Sequence, residues 1–343
     1  MTVKLSIIGS GFGMYGLLPA FSKISNCKIT SICGKDSARM QEYCTKLDLN
    51  RYSDWKEMIQ NEKPNALAIA VIPKHQHEIV KYAIENEIAV FAEKPLTTSV
   101  QDSFELNELA KKKSLPNMLD FIFPEIPEWV KAKKIIESKV KGDIRKIDVK
   151  WMFLSYDLKN KIKSWKTDVS QGGGALSYFF SHTLYYLENF VGKIKNIECQ
   201  LSSSEKSLNK GETEVLMNVL FENGCIGNIH MNIASADKQK HSIEFLFDKG
   251  SIMLENNSTN FVDNFELSVI SQNKIQKIEI ENDLNLHQNE IEDPRVKVIK
   301  PIAERFIQWC NTGISSKPDF QDGLRVQELI EMARNSASKS LTK

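Results

Sequence analysis

The chain has 343 residues, 41% of them hydrophobic and 26% charged, which is the composition of a globular protein long enough for two domains with separate cores. Forty-five basic and 44 acidic side chains leave a formal charge of +1, so no strong field gathers a phosphate backbone or an anionic membrane, and neither is expected as a partner. The six cysteines, Cys27, Cys33, Cys44, Cys199, Cys225 and Cys310, include no CxxC pair; this speaks for reduced thiols in a cytoplasmic protein and against a disulfide frame or a zinc site.

The opening MTVKLSIIGSG holds an apolar run too short for a signal segment or a membrane span. From there to residue 121, short β-rich runs alternate with helical patterns. VKLSIIG precedes a helix through Leu17, Leu18 and Phe21, and KITSICG precedes one from Met40 to Leu47. ALAIAVIP leads into IVKYAIEN, and AVFAEKP into a helix from Val100 to Lys113 that ends before NMLDF. Continuous apolar runs separated by helices predict βαβ units and a parallel sheet covered on both faces.

Residues 122–343 read differently. FPEIPEWVKAKKIIESKVKG predicts an amphipathic helix, and IRKIDVKW alternates, with Ile147, Val149 and Trp151 on one face and lysines and Asp148 on the other. TEVLMNVLFENGCIGNIHMNIA predicts a hairpin turned at Asn223-Gly224, and SIEFLFDKGSIMLE and FELSVI with KIQKIEI predict two more. One polar and one apolar face mark an antiparallel sheet open on one side. SSSEKSLNKGE and ENDLNLHQNEIEDPR read as polar loops, and helices from about Pro301 to Asn311 and Gly323 to Ser338 close the chain.

After the first strand comes Gly9-Ser10-Gly11-Phe12-Gly13-Met14. Such a turn is either a plain strand-to-helix connection or the start of a dinucleotide site, in which the first glycine makes the bend and the second admits the pyrophosphate. Its place on the first of a βαβ series favours the nucleotide, although Met14 stands in the third glycine slot with Gly13 and Gly16 beside it. The second strand ends at Gly34-Lys35, where an NAD-specific site would put an acid for the ribose hydroxyls. Space at Gly34 and the charge of Lys35 lean towards NADP, unless Lys35 is a solvated surface residue. By itself, Lys94 reads as a strand-end surface lysine, and Trp165 reads equally as packing or as a substrate contact. His75 reads as exposed, His230 as lying on the polar side of a strand, and His241 and His287 as loop residues; none has a metal partner at useful spacing, so no metal is expected.

Glu93-Lys94-Pro95 past a buried strand, with the turn above, Ile72-Pro73 followed by His77, DIRKIDVKW, Trp165 ahead of Gly172-Gly173-Gly174, His182 on the next helix and Asp322-Gly323-Leu324-Arg325, resembles the glucose-fructose oxidoreductase / inositol dehydrogenase / MocA family over almost the whole chain. The resemblance implies an α/β Rossmann domain over 1–121 and an α+β domain over 122–343, with a large, mostly antiparallel, open-faced sheet. It implies a small-molecule substrate lying between the domains, a sugar, sugar acid, cyclitol or similar hydroxy/oxo compound, and a homo-oligomer, dimer or tetramer, formed through that sheet. NAD(P) would be held by Gly9, Gly11, Phe12, Gly13, Gly34, Lys35, Ile72, Pro73, Glu93 and Lys94, with His77, which by itself reads as capping or packing the helix start, as a neighbour. Lys94 becomes the acid/base on the substrate oxygen, since burial and a cationic nicotinamide depress a lysine's pKa.

The family's segment after the glycines usually reads GGG-x-L-x-D-x-G-x-H-x-x-D. Here its two aspartates are Tyr178 and Tyr185 and its later glycine is Phe180, while His182 stands. Residues 178, 182 and 185 share one helical face, and with Trp165 and Lys94 they form the expected substrate set. Lys94 and His182 then carry the acid/base work, Tyr178 replaces the Asp as hydrogen-bond partner or supplementary acid, and the glycines let the loop approach the substrate. Two other readings follow from the lost carboxylates and the family's range: a non-catalytic NAD(P)-binding regulator and an NAD-assisted glycosidase.

Overall fold

The computed structural model describes residues 1–204, 209, 211–236, 238–272, 274–280 and 292–340, with residues 339 and 340 described by backbone alone. His287 and most of the two polar loops lie outside the described residues. Two compact units are present: Met1–Ile122 with the described part of Leu286–Gln327, and the described parts of Phe123–Asn285 and Glu328–Lys343.

In the first unit, β1 (Val3–Ile8), α1 (Leu18–Ser22), β2 (Cys27–Cys33), α2 (Ala38–Leu47), β3 (Asn50–Tyr52), α3 (Trp55–Glu62), β4 (Ala66–Ile69), α4 (Pro73–Glu85), β5 (Ala89–Ala92), α5 (Val100–Lys112) and β6 (Asn117–Leu119) follow in turn. The strands form one parallel sheet in the order β3-β2-β1-β4-β5-β6. Every residue of β4 and β5 is buried, as strands covered on both faces require. Strand order reverses between β1 and β4, which opens a crevice at the carboxyl ends of these two strands.

In the second unit, α6 (Pro127–Glu137) precedes β7 (Ile144–Met152) and the short α7 (Tyr156–Lys159), and a π-helical turn at Ala175–Phe179 leads into α8 (Phe180–Val191). There follow β8 (Ile194–Ser202), β9 (Glu214–Phe221), β10 (Ile226–Asn232), β11 (Lys240–Phe247), β12 (Gly250–Asn256), β13 (Glu266–Ser271) and β14 (Lys274–Ile278). Eight strands pair in the order β14-β13-β12-β11-β7-β10-β9-β8, antiparallel except for β7 on β10. The three hairpins lie where the turns predict them, and Gly224 adopts φ +83°. β8 was not read from the sequence. Burial alternates cleanly along β9 and β10, so one face of the sheet is core and the other open.

The chain closes with α9 (Val296–Thr312) and α10 (Phe320–Ser340). The sequence reading left everything after residue 121 in the second domain and started the first of these helices at Pro301. Instead, α9 starts five residues earlier, encloses Pro301, and groups with the first unit. Its stripe of Val298, Ile299, Ile302, Ala303, Phe306 and Ile307 is fully buried, and Phe306 meets Phe91 of β5 and Phe21 of α1 edge-on at 5.8 and 6.3 Å. An apolar stripe of that width is hidden only against another core. α10 is shared, residues up to Gln327 counting with the first unit and those from Glu328 with the second.

Candidate active site

β1 hands the chain to Gly9 at φ +123°, a conformation that favours glycine. A Cβ on Gly9 would stand 2.1 Å from the carbonyl oxygen of Ala70, just past β4, so the ends of the two strands meet there. A Cβ on Gly11 would meet nothing within 4 Å, so the backbone of the turn is open. Gly13 leads into a π-helical turn, Gly13–Leu17, that continues as α1. Met14 is buried; a Cβ on Gly13 would fall 3.1 Å from Ile7 Cγ2 of β1, the helix–strand approach expected of a third glycine, and one on Gly16 would fall 2.4 Å from the Phe12 ring. The guanidinium of Arg295 stands 4.3 Å from the centroid of that ring, and its Nε and Nη2 donate to the Asp293 carboxylate at 2.9 and 2.7 Å.

At the end of β2, Gly34 packs on Ser10 of the turn, with a Cβ there 2.6 Å from Oγ. Lys35 is exposed. The nearest acid in sequence, Asp36, is paired with Arg51 at 2.9 Å, and the Arg39 guanidinium lies 5.8 Å from the Tyr15 ring.

Past β4, Ile72 caps α4 in extended backbone and Pro73 opens the helix. His77 is engaged with Glu105 of α5 at 2.8 Å. The residue before it does more for the site: Gln76 is buried, and its Nε2 donates to the carbonyl oxygens of Glu93, Pro95 and Leu96 at 2.7, 3.2 and 3.0 Å. One amide thus clasps the whole turn that carries Lys94, whose bond to Pro95 is cis. Lys94 itself is 9% exposed.

Glu93 and Asp120 follow β5 and β6, which pair at Ala92 and Leu119, and their carboxyls are hydrogen-bonded to each other. Burial, then the Glu93 charge and that hydrogen bond, push the Asp120 carboxyl well above the usual carboxylate range. Burial pushes Glu93 up as well, against the hydrogen bond from Asp120 and the charges of Lys94 and Arg295. Two buried carboxyls in contact oppose each other's ionisation, so each is pushed upward, Asp120 the more strongly.

In the second unit, Trp165 and Tyr178 meet edge-on with centroids 5.1 Å apart, and the Lys166 ammonium stands 5.5 Å from the Tyr178 ring. His182 is buried, its ring edge-on to Phe123 at 5.0 Å. Tyr178 and Tyr185 are half-buried. His241, expected in a loop, is on β11 and buried; its ring stacks on Trp151 at 4.4 Å and 3°, and burial pushes its pKa down to about 3. It is a neutral core histidine. His230 faces out and bonds Glu214 at 2.7 Å.

The glycine run has a packing reason. A Cβ on Gly173 would lie 2.2 Å from the carbonyl oxygen of Trp165, and one on Gly174 2.5 Å from the Glu212 carboxylate. Glu212 caps the start of the helix: its backbone oxygen accepts from Ala175 N at 2.8 Å and its Oε1 from Leu176 N at 3.1 Å. Arg334 of α10 ties the same carboxylate at 3.2 Å and Ser177 Oγ at 2.9 Å. The glycines seat the Trp165 loop and Glu212 against the helix start that carries Tyr178. Sequence reading missed Gln76, Asp120, Glu212 and Arg295; only Asp120, an acid amid apolar residues after a strand, carried a visible signal.

The first unit's residues fit a dinucleotide. The backbone over Gly11 is open, a parallel sheet reverses order there, and the strand ends carry a clamped lysine. Among the described residues no cluster of His, Cys, Asp or Glu could hold a metal, and no helix is long and apolar enough to cross a membrane.

Comparison with known proteins agrees. Residues 3–121 match the model for an oxidoreductase family with an NAD-binding Rossmann fold, and residues 129–253 match the GFO/IDH/MocA C-terminal domain. An uncharacterized oxidoreductase of Synechocystis sp. is 24% identical over 97% of this chain and 94% of its own length. The levoglucosan dehydrogenase of Pseudarthrobacter phenanthrenivorans is 26% identical over 52% of each chain. A structure of levoglucosan dehydrogenase with NADH and levoglucosan superposes with a TM-score of 0.85 at 21% identity, covering 99% of this chain and 98% of that one. The chain belongs to the GFO/IDH/MocA family of oxidoreductases with an NAD-binding Rossmann fold.

Proposed function

We propose that this protein transfers hydride between a nicotinamide dinucleotide and a secondary alcohol or carbonyl of a sugar, sugar acid, cyclitol or similar small molecule. The observation that carries this reading is Lys94, a buried lysine at the carboxyl end of a parallel strand, in a turn clasped by Gln76. The levoglucosan dehydrogenase similarity points to a carbohydrate. Bound there, the cofactor supplies the hydride acceptor or donor. The amine of Lys94 takes the substrate's hydroxyl proton in oxidation, and the ammonium returns it in reduction. His182 hydrogen-bonds the substrate oxygen, and Tyr178, beside Lys166 and Trp165, adds a second proton donor. Turnover of one carbohydrate with a matched change in nicotinamide absorbance tests this. Dinucleotide binding without turnover on any sugar, uronic acid or cyclitol favours the regulator reading, for which the aromatic face of Tyr178 and Tyr185 speaks.

NADP is the preferred cofactor on this reading, because Gly34 leaves room, Lys35 is exposed and Asp36 is tied to Arg51. Titration of nicotinamide fluorescence with NADPH and NADH decides it. We place the protein in the cytoplasm, where its six free cysteines stay reduced. It assembles through the open sheet face, on which Leu216, Leu220 and Ile226 are 42, 37 and 48% exposed and Leu220 pairs with Ile226. Light scattering on Leu220→Glu should show a smaller particle than the parent.

A further inference from the structure

We infer that Arg295 is the cation that meets the pyrophosphate of the bound dinucleotide, standing over the glycine turn on the ring of Phe12; this rests on the dinucleotide reading above. The turn and helix start, GSGFGMYGL from Gly9 to Leu17, contain no charged side chain. A pyrophosphate carries two negative charges; backbone N–H groups of the turn meet part of that charge, and a guanidinium beside them adds a full positive charge and directed donors. Arg295 is placed for this by three linked contacts. Gly16 lets the Phe12 ring lie back on the helix start. The guanidinium then stands 4.3 Å from that ring's centroid and 5.9 Å from that of Tyr15. Asp293 grips Nε and Nη2 at 2.9 and 2.7 Å, which fixes the plane of the group.

A fourth relation gives the direction. Arg295 also acts electrostatically on Glu93 and Asp120 at the ends of β5 and β6. Its charge thus acts at the strand ends beside Lys94 while the group itself stands over the turn after β1. A dinucleotide runs along this line, across the carboxyl ends of a parallel sheet, with its pyrophosphate in the middle. Arg295 reaches this place because α9 belongs to the first unit. The arginine follows a polar loop distant in sequence from every nucleotide motif.

The test is equilibrium binding to the full-length protein, by nicotinamide fluorescence for NADH and NADPH and by calorimetry for ADP-ribose and AMP. Arg295→Met keeps an apolar stem on Phe12 and removes the charge. Its Kd for whichever dinucleotide the parent prefers should rise about tenfold or more. ADP-ribose, which has the pyrophosphate and no nicotinamide, should weaken by a similar factor, and AMP by clearly less. The variant's affinity should also depend less on salt than the parent's. Arg295→Lys should recover part of the loss. Unchanged dinucleotide and ADP-ribose affinity in an Arg295→Met protein with the parent's circular dichroism and Tm would make Arg295 a packing residue and overturn the inference. A parent that binds neither NADH nor NADPH would instead overturn the dinucleotide reading, and this inference with it.

Discussion

The side-chain amide of Gln76, on the first turn of α4, donates to the backbone oxygen of Glu93 at 2.7 Å and through the same nitrogen reaches the oxygens of Pro95 and Leu96. A helix beside one strand therefore sets the conformation of the loop after the next. Gln76→Leu keeps the bulk and leaves three carbonyls without this donor. Unfolding in urea should show a loss of about 2–4 kcal/mol, since a buried polar group deprived of its partner costs about 1–3 kcal/mol. An unchanged midpoint would mean that the turn holds itself.

The Glu93–Asp120 pair makes stability depend on pH in a stated direction. The Asp120 carboxyl is pushed up by burial first and by Glu93 second, so the folded protein holds this proton more tightly than the unfolded chain does. That stabilisation is complete below the unfolded Asp value of about 3.9 and is lost as pH rises through the raised folded value. Asp120→Asn keeps the shape and an N–H donor towards Glu93 and removes the titration. The variant's Tm relative to the parent should climb as pH rises from the unfolded Asp value of about 3.9 through the raised folded value. A constant difference would show that Asp120 titrates alike in both states.

Tyr178 packs by its ring and is proposed to act by its hydroxyl. Tyr178→Phe retains the edge-on contact with Trp165 at 5.1 Å, so stability should shift by less than about 0.5 kcal/mol. Turnover should fall about tenfold or more, with KM little changed. Equal turnover would reduce Tyr178 to a wall of the site.

Two of the glycines before α8, Gly173 and Gly174, answer to close packing. Gly173→Ala places its methyl 2.2 Å from the Trp165 oxygen, and Gly174→Ala meets Glu212 while forcing alanine to φ +87°. Each should cost about 2–4 kcal/mol by chemical denaturation. Gly224→Ala serves as the reference: it shares a positive φ, +83°, but meets nothing within 4 Å, and it should cost about 1–2 kcal/mol.

What could be read from the sequence was whatever lies within one local period. Buried strands such as ALAI, the alternation of IRKIDVKW and the turn at Asn223-Gly224 announce themselves because burial, pleat and positive φ each act on neighbouring residues. β8 was missed because IKNIECQLS carries charge inside an edge strand, and no short turn ties it to a partner. The return of α9 to the first unit was hidden because an amphipathic stripe shows that a face is buried and says nothing of what buries it. His241 looked like a loop residue, yet Trp151 across the sheet makes it core. In the site, Lys94 and the glycine turn were legible as motifs. Gln76, Glu212 and Arg295 act on atoms 17, 36 and 283 positions away, as the numbering of their partners shows, and no local pattern encodes such pairs. The glycine run was expected to bring its loop to the substrate; the close approaches it makes are to the Trp165 loop and to Glu212.

The central claim is that Lys94 moves the substrate proton during hydride transfer. Its most direct test is kcat/KM for Lys94→Met against the parent on the best carbohydrate substrate, followed by nicotinamide absorbance, with cofactor Kd measured on both proteins. The account predicts a fall of about a hundredfold or more in kcat/KM with cofactor affinity held within about threefold. Turnover equal to the parent's would contradict it.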